Sequence, residues 1–125
     1  MNTVNPNDEQ ITLIKETFYD TPFVMINLLK FKDKSSNNSK QLYHRYTKQI
    51  THLVQEIGAH VIFYGSVDGI FIGRQSDSWD EVLLVYYPSG KAFLQMIDSE
   101  EYKQANQLRQ EALERCVLLI SKRHL

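Results

Sequence analysis

The sequence predicts an α+β domain of strand, helix, strand, strand, helix, strand order behind an extra N-terminal helix, and three observations carry that reading. Apolar residues recur at helical spacing through Gln41–Ile57, whereas Phe23–Phe31 and Trp79–Tyr87 are short apolar runs of strand length. Those strand-like runs are bounded by residues that stop regular structure, Pro22 before the first and Pro88 after the second. The apolar strands also outnumber the helices able to shield them, which sets the sheet against something on each face.

Asn7-Asp8-Glu9-Gln10 places a capping residue and early acids ahead of Ile11, Ile14 and Phe18, so a short amphipathic helix is expected over Asp8–Phe18. Pro22 disfavours helical geometry at Thr21 and ends it. Phe23–Phe31 carries apolar groups on both alternate rows and forms the first strand. Lys32–Lys40 is polar, rich in Ser and Asn, and expected as an exposed loop. Leu42, Tyr46, Ile50, Leu53 and Ile57 then form one stripe of a helix over Gln41–Ile57, closed by Gly58. His60–Tyr64 follows as the second strand. Asp68-Gly69, between Val67 and Ile70-Phe71-Ile72, is a two-residue hairpin signal, and a small β-ribbon is expected there. Trp79–Tyr87 is the third strand. Ser89 caps a helical segment carrying Ala92, Phe93, Met96 and Ile97. Asp98 or Ser99 caps another, with Tyr102, Ala105, Arg109, Ala112 and Leu113 on its stripe; the two segments could form one bent helix. Cys116–Ser121 is the fourth strand, and Lys122-Arg123-His124-Leu125 a basic tail.

At 125 residues the chain fits one core. The expected division is an N-terminal helical extension over 1–20 and the α+β domain over 21–125. A net charge of -1 offers no footprint for nucleic acid. No apolar run approaches the ~20 residues that cross a bilayer. The lone Cys116 cannot form an intrachain disulfide, and residues 1–20 lack a signal peptide's apolar centre, so a cytoplasmic location is the default expectation.

The order of elements is the split β-α-β, or ferredoxin-like, arrangement, with a four-stranded antiparallel sheet and helices on one face. Val24, Ile26 and Leu28 oppose Phe23, Met25, Leu29 and Phe31 across the first strand, so the second face is also apolar. An N-terminal helix of about eleven residues spans only ~16 Å and cannot cover four strands. A second copy of the same sheet is the expected cover, making a homodimer through the sheet face.

Four strings in order, PFVMINLLKF at Pro22–Phe31, the pair Tyr43 and Tyr46, WDEVLLVYYPS at Trp79–Ser89, and Ser99-Glu100-Glu101-Tyr102 followed by Arg109, resemble the domain-of-unknown-function family number 1330 of the dimeric α+β barrel superfamily. The resemblance covers about residues 20–122 and makes the N-terminal helix a subgroup extension. It implies two ferredoxin-like sheets pressed into a barrel, often with a pocket. Relatives in the wider superfamily include cofactor-free monooxygenases, haem-degrading enzymes, lactone isomerases and dehydratases.

Six residues are candidates for ligand contact. Asn27 is the one polar residue in the row Phe23, Met25, Leu29, Phe31; its amide could face a ligand or satisfy neighbouring backbone. Tyr43 and Tyr46 project from one helix turn, Tyr46 on the core stripe and Tyr43 near its edge. Trp79 offers aromatic bulk for a pocket wall. Tyr102 and Arg109 lie two turns apart on one face, and a cation there wants Asp80, Glu81 or a ligand carboxylate. His44 and His52, ~12 Å apart along a helix, cannot share a metal. No spacing suggests a metal, nucleotide loop or catalytic triad, and Cys116 reads as packing. The expectation is therefore a pocket for a modest aromatic or carboxylate metabolite without a tightly held cofactor, monooxygenase- or isomerase-like if catalytic. The alternatives are a non-catalytic assembly module and, third, a haem protein using His60.

Overall fold

A computed structural model describes residues 4–32 and 38–124. Its elements run α1 (Asp8–Thr17), β1 (Phe23–Phe31), α2 (Asn38–Glu56), β2 (His60–Ser66), β3 (Glu81–Tyr87), α3 (Gly90–Asp98), α4 (Glu100–Ala112) and β4 (Leu113–Ser121). The strands form one antiparallel sheet in the order β2-β3-β1-β4, which is the ferredoxin-like topology.

Local chemistry sets the boundaries. Asn7 caps α1 in a complete capping box: Gln10 N–H donates to Asn7 Oδ1 and Asn7 N–H to Gln10 Oε1, each at 2.9 Å. Gly58, at φ 77°, supplies the left-handed residue after α2. Ser89 and Ser99 cap α3 and α4 through Ala92 N–H and Tyr102 N–H, so the two segments are separate helices meeting at Ser99.

Strand parity then sorts the side chains. Phe23, Met25, Asn27, Leu29 and Phe31 of β1 and Glu81, Leu83, Val85 and Tyr87 of β3 are buried against the helices. Tyr43, Tyr46, Ile50, Leu53, Ala105 and Ala112 meet them in one core. The opposite rows, Val24, Ile26 and Leu28 paired with Tyr86, Leu84 and Val82, form an apolar outer face that continues through Leu119 and Phe63 at about half exposure. Helix α1 packs on α3 and buries Ile14 in the same core as the other helices, so it leaves that outer face open. Its C-terminal end is fastened by Gly90 N–H donating to Phe18 O at 2.8 Å.

Several expectations need correction. Helix α2 already includes Asn38, Ser39 and Lys40, with Ser39 buried; residues 33–37 of the expected loop lie outside the described residues. Asp68-Gly69 forms no β-ribbon. A two-residue turn of that type needs positive φ, which among the described glycines only Gly58 and Gly73 adopt, and the connection is a loop with a 3-10 turn at Gln75–Asp77. Trp79 and Asp80 precede β3 rather than open it. β4 begins at Leu113, three residues early, because a bulge opposite Lys30 and Phe31 accommodates the charged Glu114 and lets Leu113 pair with Phe31.

Candidate functional site

Helix α2 and helix α4 bring four candidates together under the sheet. Tyr43 and Tyr46, three residues apart, project side by side with ring centroids 5.3 Å apart. Tyr43 also packs on Phe31 and Tyr64, at 5.8 and 6.3 Å. From α4, Tyr102 meets Tyr46 hydroxyl to hydroxyl at 3.0 Å. Arg109, two turns on, is only 6% exposed. Its guanidinium donates to Asn106 Oδ1 at 3.3 Å and to Cys116 Sγ at 3.2 Å. The expected pairing with Asp80 or Glu81 does not occur, and no carboxylate among the described residues forms an ion pair with Arg109. Asp80 instead accepts from Phe31 N–H, and Glu81 faces Tyr64.

Electrostatics follow from this burial. Desolvation pushes the hydroxyls of Tyr43, Tyr46 and Tyr87 above the usual phenol range, with Arg109 pulling Tyr43 and Tyr46 partly back. Burial is the largest influence on Arg109 and works against its charge; Tyr46, Tyr102, Cys116 and Tyr43 push its pKa up only as they ionise, at high pH. Burial likewise raises the Cys116 thiol, and Arg109 moderates the rise. At neutral pH the cluster is therefore a buried cation among neutral phenols.

Its hydrogen bonding is incomplete. Asn27 Nδ2 donates to Leu83 O at 3.0 Å and Met25 O at 3.2 Å, satisfying backbone on two strands. Asn27 Oδ1 and the hydroxyls of Tyr43 and Tyr87 have no partner among the described residues. Their residues are only 8%, 1% and 6% exposed, so these polar atoms lie within the core or at its margin.

Trp79, the sixth candidate, sits elsewhere. It lies in the β2–β3 loop with the Arg115 guanidinium 4.2 Å above its ring, and lines a concavity of about 340 Å³ with Val67, Ile70 and Gln75. Glu81 centres a second polar cluster: 5% exposed, it accepts from the Tyr64 hydroxyl and lies 3.8 Å from Lys40 Nζ and 3.6 Å from His44 Nε2. Its signal was strand parity, since Glu81 shares the inward row of Leu83, Val85 and Tyr87. His44 thus reaches in from what looked like a solvated helix side. His52 pairs with Glu101 at 2.8 Å, and His60 stacks on Tyr86 at 4.9 Å on the outer face. Among the described residues no three of His, Cys, Asp and Glu group as metal ligands would, and no helix is long and apolar enough to cross a membrane.

Comparison with known proteins places this geometry in context. The model of the family described as "Domain of unknown function (DUF1330)" matches residues 33–122. No curated protein matches the sequence. A crystal structure of a protein of unknown function from Rhodopseudomonas palustris superposes with a TM-score of 0.89 at 25% identity, covering 100% of this chain and 99% of that one. A dimeric protein of unknown function with a ferredoxin-like fold from Bacteroides fragilis reaches 0.59 at 13% identity, over 82% of this chain and 96% of that one. Hydroxynitrile lyase from Passiflora edulis reaches 0.63 at 14% identity, over 85% and 97%. The last two likenesses concern the fold alone.

Proposed function

This chain belongs to the DUF1330 family of ferredoxin-like domains, and we propose that it is a homodimer whose subunits each bind a small carboxylate-bearing metabolite between sheet and helices. The observation that carries the reading is Arg109, a buried guanidinium with no carboxylate partner among the described residues, set among Tyr43, Tyr46, Tyr102 and Cys116. A guanidinium presents paired donors that match a carboxylate, and an unpaired buried charge gains most from such a ligand. Tyrosine hydroxyls can donate to the ligand's oxygens while Asn27 Oδ1 accepts from a hydroxyl or amine. The rings of Tyr43 and Tyr46 favour an aromatic or planar body. Tyr102 holds Tyr46 in place through their shared hydrogen bond. Trp79 serves the loop rather than this site. With phenols held neutral, the site suits orientation and proton relay through hydroxyls or water, without a resident cofactor.

The outer sheet face supports the dimer. Val24, Ile26, Leu28, Leu84, Leu119 and Phe63 make a continuous apolar layer that no helix among the described residues covers, and a second sheet buries it at the usual face-to-face spacing of ~10 Å. The solved neighbour from Bacteroides fragilis is described as dimeric. Helix α1 acts as an extension that buttresses α3.

A second reading, a non-catalytic assembly module, draws on the tight packing of Tyr43, which is 1% exposed. A thermal-shift screen separates the two. Small aromatic carboxylates at a hundred times their Kd stabilise by about 2.7 kcal/mol, several degrees in Tm. Arg109→Met abolishes that gain while sparing any from neutral analogues. Equal loss for both classes, or no shift by any carboxylate in the wild type, leaves the assembly role.

A further inference from the structure

The β2–β3 loop turns its most apolar residues into water. Phe71 is 99% exposed and Ile72 89%. Yet the loop is well tied: Val67 N–H donates to Asp80 O at 3.0 Å, Arg74 N–H to Asp77 Oδ2 at 2.8 Å, and Arg115 stacks on Trp79. Gly73, at φ 151°, adopts a backbone that other residues rarely reach. A fixed loop that presents a phenylalanine tip is built for contact with another surface.

The same chain carries a fitting receptor. A groove of about 510 Å³ is lined by Pro22, Val24, His60, Ile62, Tyr86 and Arg123. The stacked His60 and Tyr86 rings form part of its wall, and Arg123 adds a cation, a combination that suits an inserted aromatic ring. Sheet register puts groove and loop at opposite ends: His60 and Val24 lie opposite Tyr86, whereas Ser66 lies opposite Glu81, where the loop begins and ends. Seven residues of β2 separate them, roughly 20 Å, so the tip cannot enter its own groove.

We propose that the Ile70–Ile72 tip of each protomer docks into the Tyr86–His60 groove of a second copy of this chain, an exchange that rests on the homodimer reading above. Two sheets pressed face to face have two ways to obey a two-fold axis in the interface plane. An axis along the strands brings tip to tip; an axis across them lays the tip end of one sheet over the groove end of the other, and makes that contact twice. The exchange therefore selects the axis across the strands. Phe71 becomes an anchor of the interface as well as the outer sheet face.

Replacement Phe71→p-benzoylphenylalanine tests this, with sedimentation run beside irradiation and peptide mapping of the purified full chain. The expected result is a dimer whose covalent adducts join residue 71 to the peptides around Pro22–Val24, His60–Ile62 or Arg123 of the other copy. Phe71→Ser, harmless to a protomer in which that ring is exposed, raises the dimer Kd by about a hundredfold, roughly tenfold for each tip. A dimer with adducts among residues 67–73, or with none between copies, overturns the exchange and leaves the dimer standing. A stable monomer at micromolar concentration overturns both.

Discussion

Arg109→Met should make the unliganded protein more stable, a counterintuitive outcome for the removal of a buried, hydrogen-bonded side chain. The change gives up two bonds. One goes to Asn106 at 3.3 Å and the other to a sulfur at 3.2 Å, a weak acceptor, and together they contribute about 1–2 kcal/mol. Neither partner is stranded: Asn106 is half-buried and can turn to water, and Cys116 still donates towards Val4 O. Against this stands the desolvation of a guanidinium without an anion, which costs several kcal/mol even after relaxation. Methionine fills a similar path without that charge. The net gain is about 1–3 kcal/mol, or roughly 4–12 °C in Tm for a chain of this length. Urea denaturation with the slope held constant measures it. A loss of more than about 1 kcal/mol would mean that the guanidinium is a structural element, which would falsify the argument for an unmet anion site.

Two further outcomes follow from the same packing. Tyr43, Tyr46 and Tyr87 have folded-state pKa values raised by burial, so the stability they share is fully present below about pH 10, the unfolded value, and is lost as pH climbs towards the folded one. Each contributes a slope of about -1.4 kcal/mol per pH unit in that window, and phenolate absorbance should appear together with unfolding; a flat urea midpoint from pH 10 to 11.5 contradicts it. Gly90→Ala, nominally better for a helix, should destabilise by about 1–3 kcal/mol, because a Cβ there meets Phe18 O at 2.6 Å and Ile14 Cγ2 at 2.9 Å and pushes α1 away. Retention of wild-type stability, by thermal melting, would show that α1 rides loosely on α3.

The parts of this protein visible in its sequence are those decided within a few residues. β1 matches its expected span because Pro22 starts it and apolar groups fill both rows, and Asn7, Ser89 and Ser99 cap where side-chain oxygens three residues from free N–H groups allow. The misplaced features depend on partners far along the chain. Asp68-Gly69 has the right residues for a hairpin, but Trp79 stacking under Arg115 from β4 and the 3-10 turn hold the connection open. β4 starts at Leu113 because Phe31 offers it a pairing position, which no local pattern around Glu114 and Arg115 suggests.

The candidate site divides along the same line. Helical period pairs Tyr43 with Tyr46 and, separately, Tyr102 with Arg109; that the two pairs meet depends on the packing of α2 against α4, which no local pattern gives. That Arg109 would find Cys116 and Asn106 instead of Asp80 or Glu81 depends on register: Glu81 lies at the far end of β1's pairing with β3, opposite Leu29, and there Tyr64 from the neighbouring strand and His44 and Lys40 from α2 claim its carboxylate. The chain thus keeps its buried acid and its buried base apart, each with its own partners. Had they met, the core would hold a satisfied ion pair and no reason for a ligand. Their separation leaves the cation among neutral phenols with no anion beside it in the described residues, the arrangement from which the carboxylate-binding reading proceeds.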